Sequence, residues 1–218
     1  MSRAATIAGV AAVIGLALAA GYLSSRYLGP ASRTDHSPAA ASPLAAAAAA
    51  TIPEKRPEFA LVDANGRRRS ISEWDGHPLM VNFWATWCPP CRREIPLLNA
   101  LRAEYGARGY EIIGIAVDFR EDVLAYMQGT PISYPMLIGE QDAIDVARAF
   151  GIDDLFYPST VFLDRRGRIV TIKVGELHAP EADAILAAVD DVDAGRLSID
   201  DARVRIRSQL IALSRDKG

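Results

Sequence analysis

Hydrophobic and polar positions divide this chain into three regimes. Residues 4–23 carry no charge and lie between Arg3 and Arg26. Residues 29–52 hold ten Ala and three Pro and have too little apolar mass to build a core. Beyond them, apolar runs of strand length alternate with stripes of helical period. Apolar residues at 59–62 and 69–71 flank Asn65-Gly66, the strongest short hairpin signal. Trp74-Asp75-Gly76 then turns the chain into 79–83, a run so apolar that it reads as a central strand buried on both faces. Ile95, Leu98, Leu101 and Tyr105 recur at three- and four-residue spacing and predict a helix over 91–105, kinked at Pro96 and ended by Gly106 and Gly109. Strands at 111–117 and 136–138 and helices at 121–128 and 142–150 follow, with Gly151 closing the second helix. The strand at 160–163 turns through 164–167 into 169–174 as an antiparallel hairpin. A helix at 182–189 closes this series. Ile199, Ala202, Ile206, Leu210 and Leu213 mark one more amphipathic helix, with Ser198 and Asp201 as its capping box. Strands alternating with helices predict an α/β fold on a mainly parallel sheet.

Four segments follow from this pattern: a hydrophobic N-terminus (1–28), an Ala/Pro-rich linker (29–52), a folded domain (53–194) and a C-terminal helical extension (195–218). At about 1.5 Å per helical residue, 4–23 just spans a bilayer core of about 30 Å. It is either an uncleaved signal anchor or a cleaved signal peptide, since Ala17-Leu18-Ala19 is a small-x-small sequence. Flanking positive charge does not fix its orientation. The linker's alanine run at 45–50 makes it a partly stiff tether. The 218 residues are 50% hydrophobic, enough for one adequate core, and the net charge of −3 gives no basic excess that would suit nucleic acid.

The chain has two cysteines, Cys88 and Cys91, separated by Pro89 and Pro90 at a strand-to-helix junction. That spacing puts both thiols on the first helical turn, with Cys88 at the helix N-terminus. Unpaired N–H groups and the positive end of the helix dipole favour its thiolate there. The thiolate is the nucleophile of thiol–disulfide exchange, and Cys91 is placed to resolve the mixed disulfide. The rival reading is half of a zinc site. Structural zinc takes four protein ligands, no second C-x-x-C exists, and His36, His77 and His178 are scattered. No phosphate loop or dinucleotide fingerprint is present, so the expected redox group is the Cys88–Cys91 pair itself, without a cofactor or metal.

The stretch Asn82-Phe83-Trp84-Ala85-Thr86-Trp87-Cys88-Pro89-Pro90-Cys91, followed by Glu94 and Pro96, resembles the active site of the thioredoxin-like family in its membrane-anchored TlpA/ResA-type branch. A second matching block is Tyr157-Pro158-Ser159-Thr160-Val161-Phe162-Leu163-Asp164, and the likeness covers roughly 59–189. The resemblance implies a thioredoxin-like fold: a mixed, mostly parallel sheet flanked by helices. The 66 residues between Cys91 and Pro158 then hold an inserted strand and helix. It also implies a cis Tyr157–Pro158 bond beside the cysteines, where flanking backbone pairs with extended substrate; an ordinary trans turn is the alternative. Trp87, Pro89, Pro90, Tyr157 and Pro158 make up the expected substrate-binding surface. Glu94 is expected either beside the thiols, raising their pKa, or as a solvated carboxylate of the first helical turn. Asn82 stands where thioredoxin itself carries a buried Asp, which leaves Glu94 as the candidate proton handler. Trp74 and Trp84 are expected to pack, and His77 to lie in a surface turn.

The function implied is a periplasm-facing protein-disulfide reductase, held in a bacterial inner membrane by 4–23 or released to the periplasm if the signal is cleaved. Its expected partners are client proteins with thiols or disulfides, such as apocytochrome c or copper-site proteins, and a membrane thiol-electron transporter as donor. Two other readings stand beside it: a disulfide-inserting oxidant of the same fold, and a peptide-binding adaptor whose thiols are incidental.

Overall fold

In the computed structural model, which describes residues 52–152 and 156–215, the chain enters its sheet through the expected hairpin. β1 (Ala60–Asp63) and β2 (Arg68–Ser70) pair antiparallel. Gly66 turns the chain at φ +83°, a region that side chains with a Cβ avoid. Buried Asp63 staples the turn: Oδ1 accepts the N–H groups of Asn65 and Arg67, and Oδ2 pairs with the Arg67 guanidinium. A capping box between Ser70 and Glu73 starts the 3-10 turn Ile71–Trp74 and sets Ile71 and Trp74 into the core.

β3 (Leu79–Trp84) leads into α1 (Pro89–Gly106), and β4 (Glu111–Val117), α2 (Arg120–Gly129), β5 (Met136–Gly139) and α3 (Gln141–Ala149) follow. β6 (Ser159–Leu163), β7 (Ile169–Val174), α4 (Ala179–Asp193) and α5 (Ile199–Arg215) complete the described chain. The seven strands lie in the order β2-β1-β5-β4-β3-β6-β7. The sheet is mixed, as expected, but the parallel majority is not found. β3–β4 and β4–β5 are parallel, while β1–β2, β1–β5, β3–β6 and β6–β7 are antiparallel. Only α1 and α2 act as crossovers between parallel neighbours. After α3 the chain re-enters on the far side of β3 running the other way, a direction that hydrophobic period does not report.

Alternate residues of β3 serve two cores. Met80 and Trp84 join Leu98, Leu101, Ile112, Phe162 and Ile185 beneath α1 and α4. Val81 and Phe83 join Ile71, Ile113, Ile115 and Phe150 beneath α3. Helices on both faces explain why β3 is apolar along nearly its whole length.

α1 begins two residues before the predicted start, because Pro89 and Pro90 suit a first turn that needs no N–H partners. Pro96 lies inside this helix. α4 extends beyond 182–189 at both ends. At the start of α5, the Ser198 hydroxyl accepts the Asp201 N–H at 3.1 Å. The reciprocal half of the capping box is replaced by that hydroxyl donating to the Asp201 carboxylate at 2.6 Å. α5 packs on the domain: Ala202 and Ile206 are buried, and Arg203 donates to the carbonyls of Ile169 and Val170. The expected membrane segment at 4–23 and all but the last residue of the 29–52 linker lie outside the described residues. Among the described residues, no helix is long and apolar enough to cross a membrane.

Candidate active site

The end of β3 delivers the cysteines to the N-terminus of α1. Cys88 is the N-cap, and its Sγ accepts the Cys91 N–H at 3.3 Å. The two sulfurs form a disulfide, with Cα atoms 5.3 Å apart. Cys91 is wholly enclosed, whereas Cys88 retains 4% of its surface. An incoming nucleophile or client sulfur therefore meets Cys88 first.

The loop before Cys88 is anchored from β4. The Asp118 carboxylate, just past the last residue of that strand, accepts the Thr86 N–H at 2.9 Å and the Thr86 hydroxyl at 2.5 Å through Oδ2. Its Oδ1 accepts the Phe119 N–H at 2.9 Å. The sequence reading missed Asp118, since nothing local links positions 86 and 118. An acid just past the C-terminal end of a strand next to the cysteine-bearing strand is the one signal that pointed to it.

The Tyr157–Pro158 bond is cis. Register places it: Ser159 lies opposite Phe83, so the start of β6 and the end of β3 meet at one edge of the sheet. The Trp87 and Tyr157 rings touch edge to face, with centroids 6.2 Å apart. Pro158 itself is buried, and its carbonyl already accepts the Gly175 N–H at 2.8 Å. Trp87 and Pro89 are exposed, whereas Pro90 and Tyr157 are half-buried, so the outward face of the predicted set is Trp87 and Pro89.

Glu94 is not solvated: 2% of its surface is exposed. It lies three residues past Cys91, so the two share a face of α1. Asn82 Nδ2 donates to Oε1 at 2.6 Å, and the Leu177 N–H donates to Oε2 at 2.9 Å. Burial pushes the Glu94 carboxyl from its ordinary 4.5 up to about 7 against the pull of these two donors; Glu176 adds to the rise and Lys173 opposes it. Asn82 also donates to the Thr160 hydroxyl at 3.0 Å, which ties α1, β3 and β6 together behind the cysteines. Arg93 pairs with Glu176 at 2.5 Å on the outer side of the same region.

Trp74 and Trp84 pack, and the Trp84 indole N–H donates to Met136 Sδ at 3.1 Å. His77 is an exposed turn residue with its ring against the Gly109 carbonyl. Among the described residues, no group of three or more His, Cys, Asp or Glu is placed to hold a metal ion.

Residues 52–172 match the AhpC/TSA family. The thiol-disulfide oxidoreductase ResA of Geobacillus thermodenitrificans is 32% identical over 130 residues, which cover 59% of this chain and 72% of the relative. The thioredoxin-like protein YneN of Bacillus subtilis is 31% identical over 134 residues, 59% of this chain and 74% of that one. Among solved structures, a thiol:disulfide interchange protein of the thioredoxin family from Chlorobium tepidum superposes with a TM-score of 0.51 at 28% identity, covering 73% of this chain and 98% of its own.

Proposed function

This chain belongs to the AhpC/TSA family, is thioredoxin-like in fold and is a thiol-disulfide oxidoreductase carrying the pair Cys88–Cys91; from that premise we propose that it works as a membrane-tethered, periplasm-facing reductant of client-protein disulfides. In this reading the Cys88 thiolate attacks one sulfur of a client disulfide, and the other client sulfur leaves as a thiolate. The Cys91 thiolate then attacks Cys88, the client's first sulfur leaves, and the Cys88–Cys91 disulfide forms. Two electrons pass to the client, whose thiolates take up two protons. A membrane thiol-electron transporter restores the dithiol by the same exchange in reverse. Apocytochrome c and copper-site cysteines are the clients we assign.

The direction rests on Glu94. A carboxylate enclosed beside Cys91 disfavours a thiolate there, which destabilises the reduced form and lowers the reduction potential. Burial pushes that carboxyl up to about 7, so it exchanges a proton with its surroundings under neutral conditions. One feature pulls the other way: Cys88 sits at a helix N-terminus with the Cys91 N–H on its sulfur, which favours a thiolate and an oxidant. The potential of Cys88–Cys91, measured against a thioredoxin-type couple, separates the two. We expect a value close to thioredoxin's, about −270 mV. A value close to that of a strong periplasmic oxidant, about −120 mV, would reverse the assigned direction.

A further inference from the structure

A surface groove adjoins Trp87 on the side of β4 and α3. Trp87, Val117, Phe119 and Ile144 floor this open groove of about 350 Å³; Glu140 is its exposed acid, while the Asp118 carboxylate in its wall is held by Thr86 and the Phe119 N–H. Trp87 is 65% exposed and Phe119 54%, large values for aromatic rings that flank one depression. Trp87 immediately precedes Cys88, so one lining side chain of the groove is borne by the residue next to the reactive cysteine. Among the described residues no Lys, Arg or His lines it, and Arg148, one turn beyond Ile144 on α3, pairs with Asp145 at 3.5 Å. The cation nearest in sequence, Arg120, is turned away: its two terminal nitrogens donate to the carbonyls of Asp63 and Ala64 at 2.7 and 2.8 Å. The N-termini of α2 and α3 open towards this region, but Glu121, Asp122 and Asp142 in their first turns offset those dipoles.

We infer that this groove selects clients, taking the residues beside the attacked cysteine when they are an apolar side chain followed by Lys or Arg. The inference rests on the reading above that clients are polypeptide disulfides. The apolar side chain lies on Trp87 and Phe119, and the cation faces the exposed Glu140. The aromatic floor sets the preference for size, while Glu140 acts mainly on the rate of encounter and its effect weakens with salt.

Short peptides with one cysteine, held as a mixed disulfide with thionitrobenzoate, test it on the reduced full-length protein. Attack of Cys88 on the peptide sulfur expels the aromatic thiolate, the better leaving group, and its colour gives the rate. A Phe-Lys flank is expected to react about tenfold faster than Ser-Ser, the scale of one side chain in an apolar site. Phe-Lys is also expected to outpace Phe-Glu at low salt, with the gap closing at high salt. Glu140→Lys should invert the Lys-over-Glu preference. Phe119→Ser should remove the Phe-over-Ser preference. Phe119 caps α2 with no side-chain hydrogen bond, so serine there adds a cap rather than weakening the helix. Equal wild-type rates with all flanks, a preference for the acidic flank, or preferences unchanged in both variants would overturn the groove assignment alone. Reaction with free aromatic disulfide but with no peptide would overturn the polypeptide-client reading, and the groove with it.

Discussion

Enclosing Glu94 between the Asn82 amide and the Leu177 N–H gives one carboxyl two donors and almost no water. Its pKa is raised, from 4.5 to about 7, so the folded state holds its proton more tightly than the unfolded chain. The stability that the neutral carboxyl confers is therefore complete below pH 4.5 and is lost as pH rises through 7. At about 1.4 kcal/mol per pH unit, the loss amounts to about 3 kcal/mol. Asp63 works in the opposite sense: burial pushes it up, but the donors from Arg67 and Asn65 outweigh that and hold it low, so its contribution is lost as pH falls through its folded value. Comparing the wild type with Glu94→Gln isolates the first effect. In urea titrations the wild type should lose about 3 kcal/mol relative to the variant between acidic and mildly alkaline pH. Parallel profiles would contradict the buried-carboxyl account. The same substitution should lower the Cys91 thiol pKa, and an unchanged thiol titration would remove Glu94 as its proton partner. Spacing in the sequence showed that Glu94 shares a face with Cys91. It did not show which way that face points, because Asn82, Leu177 and Thr160 arrive from other elements.

Among the elements, α5 lies furthest from the cysteine motif in sequence and was the least constrained by it. Its period was legible, and its docking was not. Ile206 is 2% exposed, whereas Ile211 on the same helix is 47% exposed. Ile206→Ala should cost about 2–4 kcal/mol in denaturant unfolding, through lost burial and an unfilled cavity. Ile211→Ala should stay within about 0.5 kcal/mol. Equal effects would mean that α5 does not pack by the Ala202–Ile206 face. Strand directions repeat the lesson. β3, β4 and β5 read as parallel through their crossover helices, but β6 carries the same apolar pattern in the opposite direction, since alternation along a strand is blind to its polarity.

For the whole molecule, the tether is the property the fold leaves open. We propose that 4–23 holds the chain in the membrane uncleaved. Expressed in a bacterial host, the full chain should then fractionate with membranes and resist extraction by alkaline carbonate, while 52–218 carrying a cleavable signal should appear in the soluble periplasmic fraction. Chain expressed from the full-length sequence but recovered in the soluble fraction without its first residues would instead establish a cleaved signal. Local chemistry was enough to expose the dithiol, the helix that follows it, the Asn65-Gly66 hairpin and the apolar strands, because each depends on residues a few positions apart. Tertiary structure decided what distant segments do to one another. It buried Glu94 rather than solvating it, bound Thr86 to Asp118, set the Tyr157–Pro158 turn against Trp87 and ran β6 antiparallel to β3. Those outcomes depend on which elements become neighbours once both faces of the sheet are covered, and the periodicity of a single chain does not record that.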